Sequence, residues 1–226
     1  MIFLRTALLV LRKDFAIEMK NLEIVSTTLF FAIGCVLVFA FALVKEGQAP
    51  PDSAAAILWI TILFAGTLAL GRTFERERYG ETLRALLLAP APRPALYVGK
   101  LLGMLCLLGL AEVLLVPAVA LLFAAPLFER PSLLVLLLAT GTLGFSAVGT
   151  LFAAMLMRAR TRDVLLPILL YPITIPVIIA GVRGTSALVA SPVDEATAVM
   201  WLGILVAFDV VFVTLSLWTF EPLMTE

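Results

Sequence analysis

Six windows in this chain run for about twenty residues almost without charge, the length a helix needs to cross a hydrocarbon core about 30 Å thick. They lie near 24–44, 54–72, 99–125, 131–157, 164–182 and 197–218. Lipid offers the backbone no hydrogen-bond partner, so each span has to satisfy its own N–H and C=O groups as a helix. The short alternating strands of a barrel are not found. Of the 226 residues 62% are hydrophobic and 14% charged, too few polar side chains to cover a soluble globule. The expected fold is an all-α integral membrane protein, with one transmembrane domain over residues 1–226.

Lysine and arginine set the expected orientation, because basic loops are retained in the cytoplasm. With both ends inside, thirteen of the sixteen lie on the cytoplasmic side, and only Lys45, Arg130 and Arg183 lie opposite. An odd number of spans would scramble that asymmetry. Formal net charge is zero and no basic tail stands apart, so nucleic acid has no electrostatic footprint here. The chain has no histidine, which removes the commonest ligands of zinc and haem iron. No metal or cofactor is expected on the chain itself.

Residues 1–22 read differently from the spans. Leu4, Leu8, Leu11, Phe15 and Leu22 recur on one face, while Arg5, Arg12, Lys13 and Lys20 gather on the other. That pattern predicts an amphipathic helix in the cytoplasmic interface of the lipid bilayer, the alternative being a cytoplasmic start of the first span.

Between the second and third windows, Tyr79, Leu83, Leu86 and Leu87 line one face of a short helix over 74–90, amid charges. Pro90, Pro92 and Pro94 stop it. Its apolar stripe suits the groove of a soluble partner, the alternative being a loop helix packed on the chain's own bundle. Gly66 to Thr73 superficially matches a phosphate-cradling loop, but Arg72 stands where lysine is required and the stretch is the apolar end of a span. Without a nucleotide site of its own, any energised process needs an ATPase on another chain.

Two acids fall well inside spans, Glu112 in the third and Asp209 in the sixth. An ionisable residue at that depth is a candidate for function or for tying helices together. Asp209 costs roughly 2.5–3.5 kcal/mol on the insertion scale, and about a dozen Val, Leu, Ile and Phe return roughly 0.3–0.6 kcal/mol each. Insertion still wins. The fifth window carries Pro167, Pro172 and Pro176. Each removes a backbone hydrogen bond, which predicts a kinked or locally unwound helix serving as hinge or cavity lining. Gly99, Gly103, Gly141, Gly144 and Gly149 are read as close-packing positions.

An N-terminal interfacial helix, six spans and the cytoplasmic segment Phe74 to Pro90 resemble the permease subunits of ATP-binding-cassette exporters. With Lys100 following and the run Leu166 to Pro176, the whole chain resembles the haem exporter protein B family of cytochrome c maturation. In that family a Phe-x-x-Asp pattern is associated with the ATPase contact; here it falls on Phe74 and Glu77, with glutamate replacing aspartate. The resemblance implies a coupling role for Phe74, Glu77, Tyr79, Gly80, Leu83, Leu86, Leu87 and Pro90. It further implies a permease, in two copies, of the bacterial cytoplasmic membrane. Its partners would be a cytoplasmic ATPase pair carrying ATP, a haem-handling membrane subunit, a small accessory membrane subunit and a periplasmic haem chaperone. Haem is then the candidate substrate, or the haem-loaded chaperone the species released. Two rival readings stand beside it. A proton-coupled secondary transporter would use Glu112 or Asp209, although no internal repeat is found; a membrane scaffold would transport nothing. An enzyme is disfavoured, since no nucleophile, base and orienting group recur at useful spacing.

Overall fold

The computed structural model describes residues 2–46, 49–50, 52–73, 92–159 and 161–223. Among them the chain forms α1 (Ile2–Asn21), α2 (Glu23–Leu43), α3 (Ser53–Thr73), α4 (Arg93–Leu122), α5 (Pro131–Met155), α6 (Arg162–Val189) and α7 (Glu195–Leu223). A 3-10 turn, Leu156–Arg158, joins α5 to α6. Helices α2 to α7 are each long and apolar enough to cross a membrane, and the protein is an all-α membrane protein. The helix expected over 74–90, with Phe74, Glu77, Tyr79, Gly80, Leu83, Leu86, Leu87 and Pro90, lies outside the described residues.

Successive spans alternate in direction, so Arg72, Arg93, Lys100 and Arg162 share one end of the bundle, the basic end. Helices α3 and α5 are its most buried members, while α2 and α7 turn broad apolar faces outward. The centre is built on small residues. Trp59 of α3 lies fully buried between Gly141 of α5 and Gly181 of α6, where an added Cβ would enter the indole ring. Its Nε1 donates to Thr185 Oγ1 at 2.9 Å, which satisfies the one polar atom of a side chain otherwise suited to a dry core. Nearer the basic end, Tyr97 of α4 is buried against Phe220 of α7, and its hydroxyl donates to the Ala147 carbonyl of α5 at 2.9 Å.

Helix α1 packs on the first turns of α4. At Gly99 a Cβ would stand 2.7 Å from Val10 Cβ and 2.9 Å from the Ala7 carbonyl, so only glycine permits this approach. The buried side of α1 is therefore Ala7 and Val10, with Leu11 beside Gly103. Leu4, Leu8 and Phe15 of the expected apolar stripe remain exposed, the arrangement of a helix whose larger apolar face meets lipid. Leu22 belongs to neither face. It forms the elbow to α2 with φ 48° and ψ 24°, a left-handed conformation that costs a leucine roughly 1–2 kcal/mol. Offsetting that, Glu18 Oε1 accepts the Ile24 and Val25 amides at 2.7 and 3.0 Å, and so caps two orphan donors of α2.

Two spans differ from their hydropathy windows. Helix α4 begins at Arg93, six residues before the window near 99–125, because Pro94 sits in the first turn, where its missing N–H costs nothing. Helix α6 continues past Arg183 to Val189 with that arginine exposed. A charge stops a hydropathy window, but a helix carries it on its outer side. The three prolines of α6 do not unwind it; the helix is continuous through Pro167, Pro172 and Pro176.

Candidate functional site

The intramembrane acids and the α6 prolines do not converge on one site. Glu112, on α4, accepts a hydrogen bond from Thr142 Oγ1 of α5. Both line a groove of about 560 Å³ between these helices, whose other walls include Leu105, Gly109, Val113, Val135 and Ala139. Asp209 lies 14 residues from either end of α7 and is buried against α5. Its Oδ1 would stand 2.6 Å from a Cβ at Gly144, and it has no hydrogen-bond partner among the described residues.

A second groove, of about 870 Å³, opens at the basic end between α2, α3 and α6. Glu23, Arg72, Asp163 and Tyr171 line it, and Arg72 Nη1 meets Glu23 Oε1 at 2.9 Å. Of the three prolines only Pro167 lines this groove; Pro172 and Pro176 are exposed. The Gly66–Thr73 stretch is helical, and Gly66 faces the ring of Phe145, so it serves packing.

Sequence reasoning missed the joint at Lys100. This side chain is buried, and its ammonium donates to the Thr73 carbonyl at 3.1 Å and meets Asp14 Oδ2 at 2.9 Å. One cation thus ties α1 to the last residue of α3 and the second turn of α4, the helices that flank residues 74–91. A basic residue aligned seven positions into α4 was visible in the sequence; the partners it finds on two other helices were not.

At the opposite end, Asp194 caps α7. Its Oδ1 accepts the Thr197 amide at 3.0 Å and its Oδ2 the Thr197 hydroxyl at 2.6 Å. These bonds, the hydroxyl's first, hold the carboxyl below its ordinary range. Arg130 and Glu195 form an ion pair there, joining the starts of α5 and α7.

Six apolar helices, two acids at depth and a basic end stitched together by a buried lysine define a multi-pass membrane protein of the helical-bundle class. Within that class the chain belongs to the CcmB protein family, whose pattern it matches over residues 5–222. It is similar to the heme exporter protein B of Pseudomonas aeruginosa, with 30% identity over 203 residues covering 89% of each chain. The protein of the same name from Escherichia coli is 34% identical over 193 residues, 84% of this chain and 87% of that one. That of Rhodobacter capsulatus is 33% identical over 156 residues, 67% and 69% of the two.

Proposed function

We propose that this chain is the membrane permease of an ATP-driven transporter in cytochrome c biogenesis, with haem export or release of a haem-loaded periplasmic chaperone as its output. The family and the names of its relatives supply the haem connection. A cytoplasmic ATPase pair supplies the energy, and two permease copies, a haem-handling membrane subunit and a small accessory subunit complete the assembly. The basic end faces the cytoplasm of a bacterium, with both termini on that side.

The observation that carries the coupling is the Lys100 joint. A partner pressing on residues 74–90 pulls on Thr73 and on the start of α4, and the Lys100–Asp14 pair passes that displacement to α1. Helix α6, with three interrupted backbone bonds, is the candidate two-state element.

The test uses the assembled complex. Leu83→Asp or Leu87→Asp abolishes co-purification of the ATPase and its regulated turnover. Lys100→Met leaves the ATPase bound and hydrolysing but stops cytochrome c assembly. Undiminished co-purification and turnover in both leucine variants would overturn the reading. The buried Asp209, whose Oδ1 has no hydrogen-bond partner among the described residues, favours a second reading, a proton-driven transporter. Transport that survives loss of the ATPase and stops with an uncoupler would establish it.

A further inference from the structure

Glu112 lines a groove on the outer side of the bundle that the described residues leave open. One wall runs from Leu105 to Pro117 on α4 and the other from Pro131 to Leu143 on α5. At 1.5 Å per residue each wall is about 18 Å long, a little over three helical turns. Gly109 and Ala139 line the groove with little side chain, and an added Cβ at Gly109 meets nothing within 4 Å. The rims, Val113 and Val135, are 69% and 62% exposed. Among the described residues that line the groove, Glu112 and Thr142 alone have polar side chains.

Shape and charge together select the occupant. A groove of three turns walled by helices over small residues takes a rod of helical width, and close approach over glycine and alanine is how membrane helices pack. A lipid tail would fit the apolar walls but bring no donor to the acid. A carboxylate accepts up to about four hydrogen bonds, and Thr142 supplies one. In hydrocarbon the remainder calls for a cation.

We propose that the α4–α5 groove seats one transmembrane helix of another subunit, packed over Gly109 and Ala139 and carrying a lysine or arginine that reaches Glu112. This concerns a neighbour in the membrane plane and stands independently of the coupling at residues 74–90.

A photoreactive residue placed at Val113 or at Val135, in membranes that contain the whole assembly, reads the occupant directly. Val38 on α2, 67% exposed, serves as the reference position. From both rims the expected adduct is one membrane-spanning peptide of another subunit that contains lysine or arginine, and Val38 does not yield that peptide. Gly109→Leu, whose Cβ meets nothing within 4 Å, projects a side chain into the groove, and it and Glu112→Ala each lower the adduct about tenfold or more. Leu83→Asp leaves the adduct in place, which separates this proposal from the ATPase contact. Adducts to lipid alone, to a second copy of this chain or to a helix without a cation overturn it, as does an adduct indifferent to Gly109→Leu. Because adduct identity is read on a chain with its groove intact, it decides the proposal even where a groove variant fails to accumulate.

Discussion

Glu112 and Asp209 are the same kind of residue in the same kind of place, yet the bundle treats them oppositely. Glu112 has a hydroxyl partner and an open groove before it. Asp209 is closed in against Gly144, with Oδ1 unpartnered among the described residues. The difference teaches that depth alone does not make an acid functional. An acid at an open groove can be reached from outside the chain, whereas one set against a glycine bears first on the packing of its own helices.

The largest expected effect breaks the sealed site. Gly144→Ala places a Cβ 2.6 Å from Asp209 Oδ1 and 3.0 Å from Phe208 Cδ1, and overpacking of this kind costs about 1–3 kcal/mol. Asp209→Ala removes an acid with an unpartnered oxygen, so it leaves stability unchanged or raises it, by as much as about 1–3 kcal/mol. In the double variant most of the glycine penalty disappears, a coupling that a double-mutant cycle on unfolding in mild detergent measures. A stability loss in Asp209→Ala alone would break the comparison, because it would mean that Asp209 has a partner as Glu112 does.

What the sequence disclosed of this arrangement follows from the physics of each signal. Six spans were legible because the cost of charge in lipid writes itself into composition, residue by residue. Gly99, Gly103, Gly141, Gly144 and Gly149 were legible as packing positions, since small residues in spans have few other uses. Their partners were not. That Gly99 receives an interfacial helix, that Gly141 and Gly181 enclose Trp59, and that Lys100 joins Asp14 to Thr73 depend on which helices come to lie side by side. Periodicity along one helix carries no information about its neighbour. For the acids, sequence gave depth for both and left groove or seal undecided, because that difference comes from Thr142 and Gly144, two residues apart on α5 but facing different helices.

A smaller effect sharpens the groove side of the comparison. Thr142→Val keeps the volume at that position and removes the hydroxyl donated to Glu112. Hydrogen bonds between membrane helices average about 0.6 kcal/mol, with a maximum near 1.7, and the same detergent unfolding assay is expected to show a loss in that range. Thr142→Ser restores the bond and most of the stability. No loss in Thr142→Val would mean that α5 does not hold Glu112.

The smallest effect concerns a third acid, Asp194, which lies at the start of α7 and is fully exposed to water. Its carboxyl is held down by the bonds from Thr197, so the sign of its pH dependence is fixed. A depressed folded-state value means that the cap contributes fully above the ordinary aspartate value of about 3.9 and is lost as pH falls through the lower, folded-state value. Protection of the Thr197 amide, its exchange rate relative to that of an unstructured peptide at the same pH, therefore holds from neutral pH down to about the ordinary aspartate value and falls only below it. Asp194→Asn retains a side-chain oxygen for the amide and makes that protection insensitive to pH in this window. Loss of that protection near neutrality would show that the Thr197 bonds do not hold the carboxyl down.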